Sequence, residues 1–208
     1  MTSRWGPMGW MTLHSISLNY PENPSQEDKV ILKRFLDKFA ECITCPSCKQ
    51  HFTVIFSNYQ KRHPEWANSR FDLFLFVVRA HNTVNKRLDK PILGTVEACL
   101  NSLKNISKVT NFTTYRQNYC NYVLNNWARQ FDGEGMIMAT SAREMLRINN
   151  EYWNLRETDI DSISFPESNV IEFVQENRDI NPPGLGKVTL QTSVGFRFKG
   201  GKLSLGSR

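Results

Sequence analysis

Five cysteines in 208 residues are too few for the disulfide framework of a small secreted scaffold, and a chain this long does not need one. No run of 18 apolar residues occurs, so the sequence predicts no transmembrane helix and no membrane partner. Met1 to Trp10 lacks the apolar centre of a signal peptide, and a cytoplasmic protein is expected. No internal repeat is present. The only Cys-x-x-Cys is not joined by a second one or by a His-x3-His, so a zinc site would lack half of its ligands and no metal is expected. Acid is missing from residues 181–208, which hold Lys187, Arg197, Lys199, Lys202, Arg208 and 6 of the 11 glycines. That tail accounts for +5 of the net charge of +6. It has little aromatic interleaving, so it reads as a solvated flexible end rather than a nucleic-acid arm.

Apolar residues make up 40% of the chain, with 13 Phe and 5 Trp, enough for a packed core. Their spacing is helical through the first hundred residues. Trp10, Leu13, Ile16 and Tyr20 mark one helix, stopped by Pro21 and Pro24. Ser25, with Glu27 and Asp28 behind it, opens a second that carries Val30, Ile31, Phe35, Leu36 and Phe39. A third starts at the cysteine pair and carries Phe52, Ile55, Phe56 and Tyr59. The fourth runs from about Arg70 to Leu88, and a short fifth from Gly94 to about Lys104. The short loops suit antiparallel neighbours in a bundle. Beyond residue 110, Tyr115 to Trp127 and Ala142 to Trp153 are two further amphipathic stretches, broken at Asp132-Gly133-Glu134-Gly135. Trp127, Trp153, Phe165 and Phe173 need burial, so this half is expected to pack on the first. From Pro182 a short alternating pattern allows a hairpin or no fixed structure.

Cys45-Pro46-Ser47-Cys48 carries the chemistry. Pro46 suits the first position of a helix, which puts Cys45 at the N-cap. There the helix dipole and free N–H groups favour a thiolate and disulfide exchange with an incoming thiol. Half of a zinc site is the alternative, within a zinc-stabilised helical adaptor. A thioredoxin-type motif would need a preceding strand, and residues 28–41 read as helix. Cys42 either exchanges with Cys45 or is an unreactive buried thiol, the second being favoured. Cys99 and Cys120 either pair, tying the two halves together, or stay free.

Around this pair stand groups suited to a flat redox cofactor. His81, Asn82 and Asn85 share one face of the fourth helix with Phe74 and Val78, where amides are costly unless bonded. Trp10 and His14 set an aromatic plate one turn from an imidazole. His51 follows Cys48 by one turn, so what Cys48 faces His51 should face too.

Trp10-x-x-Leu13-His14, Tyr20-Pro21, Cys45-x-x-Cys48-x-x-His51-Phe52 and His81-Asn82-x-Val84-Asn85-x-x-Leu88-x-Lys90-Pro91 together resemble the Erv/ALR family of FAD-linked sulfhydryl oxidases. The match covers about residues 4 to 100, and the Trp5-Gly6-Pro7 opening looks most like members from large DNA viruses. The resemblance implies an all-α fold, a four-helix bundle plus a short fifth helix binding FAD, and the apolar spacing beyond residue 110 adds a mainly helical C-terminal extension. The chain is thus expected to divide into an oxidase domain at 1–105, a helical accessory region at 106–180 and the basic Gly-rich tail at 181–208. The resemblance also implies thiol-containing protein substrates, a homodimer, and a host cytoplasm or virion if viral. By motif position Cys48 lies next to the flavin and Cys45 meets substrate, while Trp10, His14, His51, His81, Asn82, Val84, Asn85 and Lys90 bind FAD. Electrons would pass from a dithiol through the Cys45–Cys48 disulfide and FAD to O2, giving H2O2. Departures are Pro7, where some members carry arginine, the absence of a bracing cysteine pair, and Thr95 and Glu97 where others have a lysine.

Overall fold

The computed structural model of the chain describes residues 2–156 and 158–174, with side chains from Trp5 onward. The 181–208 tail and the alternating segment from Pro182 lie outside the described residues. Seven α-helices follow one another in the described part: α1 (Thr2–Asn19), α2 (Gln26–Cys42), α3 (Pro46–Arg62), α4 (Arg70–Arg87), α5 (Val96–Ser107), α6 (Phe112–Trp127) and α7 (Gly133–Glu151). Thr95 and Asn169 form an isolated antiparallel bridge, and no strand occurs among the described residues. The all-α expectation holds.

Local chemistry sets most helix starts. Ser25, Ser69, Thr95, Asn111 and Asp132 each accept a backbone N–H of the first turn of α2, α4, α5, α6 and α7. At α2 the cap is reciprocal: Asp28 also accepts the Ser25 N–H at 2.8 Å. α4 ends at Leu88, and Asp89 takes a left-handed φ of 51° that turns the Lys90 N–H back to the Asn85 carbonyl at 2.8 Å.

Two apolar clusters hold the helices together. The larger gathers Leu13 and Ile16 of α1, Phe35 and Phe39 of α2, Phe52 and Phe56 of α3, and Phe76 of α4. α6 and α7 add Tyr119, Val123, Met145 and Ile148 to that same cluster instead of forming a core of their own. The smaller gathers Leu18, Phe74, Val78, Leu100 and Phe112 around α5. Fully buried Arg116 of α6 ties these parts together: it donates to Ser15 of α1, to Asn149 of α7 at 3.1 Å and to the Trp153 carbonyl at 3.3 Å.

Two stretches differ from the sequence reading. α7 starts at Gly133, well ahead of Ala142, because Asp132 caps it by accepting the Gly135 N–H at 2.6 Å. Beyond Arg156 the described chain is an extended strap, helical only at Ile160–Ser162, not the helical unit expected through residue 180. Backbone bonds explain this: Val96 N–H to the Ser168 carbonyl and Val170 N–H to the Gly94 carbonyl, both 3.0 Å, draw the strap along the α4–α5 loop. Glu172 fixes its end, reaching His63 at 2.7 Å and Arg79 at 3.0 Å.

Gly135 is required by a close approach, since a Cβ there would lie 2.5 Å from the Gln130 carbonyl oxygen. Gly135→Ala is expected to lower stability by about 1–3 kcal/mol. Gly133→Ala meets open space and is expected to be neutral or slightly stabilising, by up to about 1 kcal/mol. Urea denaturation of the two variants checks the contrast.

Candidate active site

The site is built on the opening of α3. Pro46 occupies the first turn, and Cys45 caps the helix, its sulfur accepting the Cys48 N–H at 3.3 Å. Helical spacing brings the two sulfurs together, and Cys45 and Cys48 form a disulfide with Cα atoms 5.2 Å apart, an ordinary separation for such a bond. Cys48 packs against the main core, whereas the Cys45 sulfur lies on the outer side, 3.3 Å from the Ser47 hydroxyl. Pro46 and Ser47 are exposed. One sulfur therefore faces the interior and the other faces approach from outside.

The inward side leads to a cluster of rings. Phe52, one turn beyond Cys48, meets Trp10 of α1 edge-on at 6.3 Å. Trp10 stacks on His81 of α4, with ring centres 4.3 Å apart and planes within 9°. His81 Nδ1 lies 2.9 Å from His14 Nε2, so the two imidazoles share one proton between them. Burial pushes both imidazoles toward the neutral form. His14, with His81 beside it, falls well below the usual histidine value, and His81, with Lys90 nearby, falls to about 4.

The remaining predicted residues are placed in different ways. His51 is half-buried on α3 beside Cys48, and no hydrogen bond to its ring occurs among the described residues. Asn82 and Asn85 spend their amide N–H groups on the loop after α4, reaching the Leu93 carbonyl at 2.8 Å and the Pro91 carbonyl at 3.2 Å. Both thus shape the loop at the end of α4, a role their spacing did not reveal. Val84 packs half-buried against the same core as Cys48 and Trp10, and Lys90 is exposed at the loop.

The residues present fit a flat cofactor. Trp10 and His81 are parallel plates that are only half-buried, and flat rings stack on such surfaces. His14 Nδ1 is buried without a protein partner among the described residues. Buried ring nitrogens are nearly always bonded, and the polar edge of an isoalloxazine carries the groups to do it. Two clefts of about 380 and 390 Å³ lie elsewhere, at the α5–α6 turn and beside the strap, and hold none of these residues.

The remaining three cysteines are free and buried. Cys99 lies in the smaller cluster and Cys120 in the larger, so the bridge between them that the sequence allowed is not formed. Burial pushes the thiols up, Cys42 and Cys120 to about 12 and Cys99 to about 11, which leaves them protonated and poor nucleophiles.

The contacts that hold the disulfide turn from the other side were missed by sequence reasoning. Trp127 of α6 donates its indole N–H to the Cys42 carbonyl at 2.9 Å, at the last residue of α2. Cys42 Sγ lies 3.7 Å from the Met138 carbonyl, and Lys49 Nζ lies 3.6 Å from the Met138 sulfur. Ser141 donates to Glu41 at 2.7 Å. A tryptophan closing an amphipathic stretch that the first five helices could not cover was the available signal.

The family model described as the Erv1 / Alr family matches residues 7–108. The FAD-linked sulfhydryl oxidase of African swine fever virus is 32% identical over 93 residues, 45% of this chain and 75% of that protein. The chain belongs to the Erv1/Alr family. A relative from Invertebrate iridescent virus 6 is 32% identical over 92 residues, 43% of this chain and 83% of that one. The mitochondrial FAD-linked sulfhydryl oxidase of Saccharomyces cerevisiae is 34% identical over 86 residues, 41% of this chain but only 43% of the yeast protein's length. No solved structure matches the chain. All these matches fall on less than half of this Erv1/Alr chain, which leaves α6 and α7 outside the region of likeness.

Two outcomes follow from the geometry. Both imidazoles are neutral when folded and take a proton near pH 6.5 when unfolded, so the unfolded state binds more protons below that value. Stability is therefore expected to fall as pH drops from about 6.5 to about 4, by on the order of 3 kcal/mol for His81. His81→Gln should flatten the slope of melting temperature against pH. Trp127→Phe, which strips the Cys42 carbonyl of its donor, should cost about 1–3 kcal/mol in a urea melt and speed reduction of the disulfide by a small thiol.

Proposed function

We propose that this chain is an FAD-linked sulfhydryl oxidase that makes disulfides in protein substrates. The observation that carries the reading is the Cys45–Cys48 disulfide at the start of α3, with Cys45 capping the helix beside exposed Pro46 and Ser47 and Cys48 packed on the same apolar cluster as Trp10, whose ring stacks on His81. The relatives' names add support, and so does the position of the match.

A substrate thiolate attacks Cys45 Sγ, the bond to Cys48 breaks, and Cys48 leaves as a thiolate. The N-terminus of α3 stabilises negative charge at the outer sulfur, whichever step generates it. A second substrate thiolate then attacks the substrate sulfur of the mixed disulfide. Cys45 is released, and the substrate departs with its own disulfide, having given up two electrons and two protons. FAD, when bound, would supply the acceptor for the two electrons left on the Cys45–Cys48 dithiol, with O2 as the final oxidant and H2O2 as the product. Trp10 and His81 would hold its ring system by stacking. His14 and His51 would meet its polar edge, and Asn82, Val84, Asn85 and Lys90 would line the end of α4. The neutral His14–His81 pair keeps two positive charges out of this apolar wall. Cys42, Cys99 and Cys120 take no part.

In this reading residues 1–105 carry the chemistry and 106–180 form an accessory region. No helix of the described residues is long and apolar enough to cross a membrane. A cytoplasmic setting agrees with three buried free thiols, which reducing surroundings maintain. A zinc-stabilised adaptor would need further ligands beside Cys45 and Cys48. Among the described residues no group of three or more His, Cys, Asp or Glu side chains is arranged to hold a metal.

The purified chain is expected to carry flavin absorbance and to consume oxygen with a dithiol. Cys45→Ser and Cys48→Ser should each abolish turnover, a loss of at least about 1000-fold for a nucleophile that forms a covalent intermediate. Only Cys48→Ser, given substrate in its disulfide form, should accumulate it as a mixed disulfide on a non-reducing gel, the free Cys45 thiolate attacking one substrate sulfur and the other leaving as a thiolate. Turnover retained in both variants, or trapping only in Cys45→Ser, contradicts the assignment.

A further inference from the structure

α7 runs antiparallel to α2, and three contacts mark the register. Tyr152 and Arg156, just beyond α7, donate to Asp28 at the N-terminal end of α2. Arg34 pairs with Glu144 at 2.7 Å midway, and Ser141 donates to Glu41 at 2.7 Å, next to the last residue of α2. α2 stops at Cys42, whereas α7 continues back from Ser141 for about two turns to its start at Gly133. The opening of α7 therefore passes the end of α2 and lies along the turn that carries Cys45. Met138 fixes this placement, its carbonyl 3.7 Å from Cys42 Sγ and its sulfur 3.6 Å from Lys49 Nζ at the start of α3.

This same opening holds out large apolar side chains. Phe131 is 95% exposed, Met136 68% and Ile137 64%. Nowhere else among the described residues do three such exposed side chains fall within seven positions. Phe131 and Met136 flank the Asp132 cap, at the two positions that share one side of a helix start. Ile137 precedes Ser141 by one turn, so it stands on the side of α7 that faces α2, just past the end of that helix. The close approach of Gly135 to Gln130 and the Asp132 cap hold the turn in this form.

Exposed apolar side chains grouped in this way mark a contact surface, and its place beside Cys45 says what meets it. Cysteine is among the most buried residue types, so a cysteine destined for a disulfide commonly has apolar neighbours. Those neighbours lie open while the chain that carries them is still reduced. Methionine adapts to many shapes, which suits a surface that meets more than one sequence. We infer, on the thiol oxidation proposed above, that Phe131, Met136 and Ile137 form a substrate-docking ledge. It holds the apolar side chains that flank a cysteine in an extended, reduced protein segment while that cysteine is bonded to Cys45. The ledge lies outside the family match at 7–108, so the preference it confers belongs to the extension of this chain.

Two synthetic peptides test it on the FAD-loaded full chain. Each has a cysteine pair; one carries leucine and phenylalanine beside the cysteines, the other serine at those places. The unaltered chain is expected to oxidise the apolar peptide with kcat/KM about tenfold higher, the scale for part-burial of a few such side chains. Phe131→Ser, Met136→Ser and Ile137→Ser combined should bring that ratio near one by raising KM for the apolar peptide. Turnover of a small dithiol and the melting temperature should not change. Val109→Ser, at an apolar residue 85% exposed just after α5, should leave the ratio as it was. A ratio that survives in the triple variant, or falls equally in Val109→Ser, overturns the ledge while the oxidase reading stands. A second measurement needs no oxidation: anisotropy of the labelled apolar peptide with its cysteines replaced by serine. The unaltered chain should bind it about tenfold more tightly than the triple variant. That difference in a chain that oxidises no dithiol would sink the oxidase reading and keep the docking surface; equal binding would sink the ledge alone. A mass of twice 24.1 kDa that returns to 24.1 kDa in the triple variant would show a second copy seated there, and would overturn the inference too.

Discussion

Trp127 spans the distance between the extension and the active-site turn, and its indole N–H meets the last carbonyl of α2. That carbonyl belongs to Cys42, three residues ahead of Cys45, in a place where water does not reach it. A buried carbonyl at a helix end is costly without a donor, so the bond fixes where α2 stops. Where α2 stops decides where α3 starts, and the start of α3 decides which way the two sulfurs point. The Met138 carbonyl beside Cys42 and the Met138 sulfur beside Lys49 hold the same turn from α7. The disulfide is thus positioned by residues more than 80 places away in sequence, and the catalytic turn and the extension form a single mechanical unit.

On the inward side the governing constraint is burial of imidazole. Two histidines in an apolar wall cannot both be charged, and the pair stays neutral by sharing one proton across 2.9 Å. Neutral, flat and half-open, the Trp10–His81 stack offers a surface for another flat ring without a fixed charge. His14 Nδ1, buried and without a protein partner among the described residues, then becomes the natural hydrogen-bonding point for it. The chemistry proposed for Cys48 needs such a neighbour, because a dithiol left by substrate exchange must lose its electrons before the next round.

Much of this was legible from local pattern. The start of α2 is written in Ser25, because a cap is a contact over two or three residues; Ser69, Thr95 and Asn111 cap α4, α5 and α6 in the same way, though the sequence reading did not single them out. Cys45 at the N-cap follows from Pro46 alone. The Trp10, His14 and His81 grouping follows from helical spacing once two helices are known to face each other. What was not legible depends on distant partners. The amides of Asn82 and Asn85 turned to a loop whose carbonyls carry no side-chain signature. Cys99 and Cys120 landed in separate clusters, a result of how α5 and α6 pack and not of either helix by itself. Residues 158–174 settled as a strap because backbone groups of Gly94 and Val96 were free to receive them.

The central claim is that electrons cross from the Cys45–Cys48 pair to a flavin held by Trp10, His81 and His14. Anaerobic titration of the FAD-loaded full chain with a dithiol, followed by flavin absorbance, reads that crossing without oxygen. The account predicts that the flavin bleaches fully after two dithiols per chain, one to reduce the disulfide and one to reduce the ring. A flavin that stays oxidised while Cys45 and Cys48 become free thiols, and bleaches only with dithionite, would contradict it.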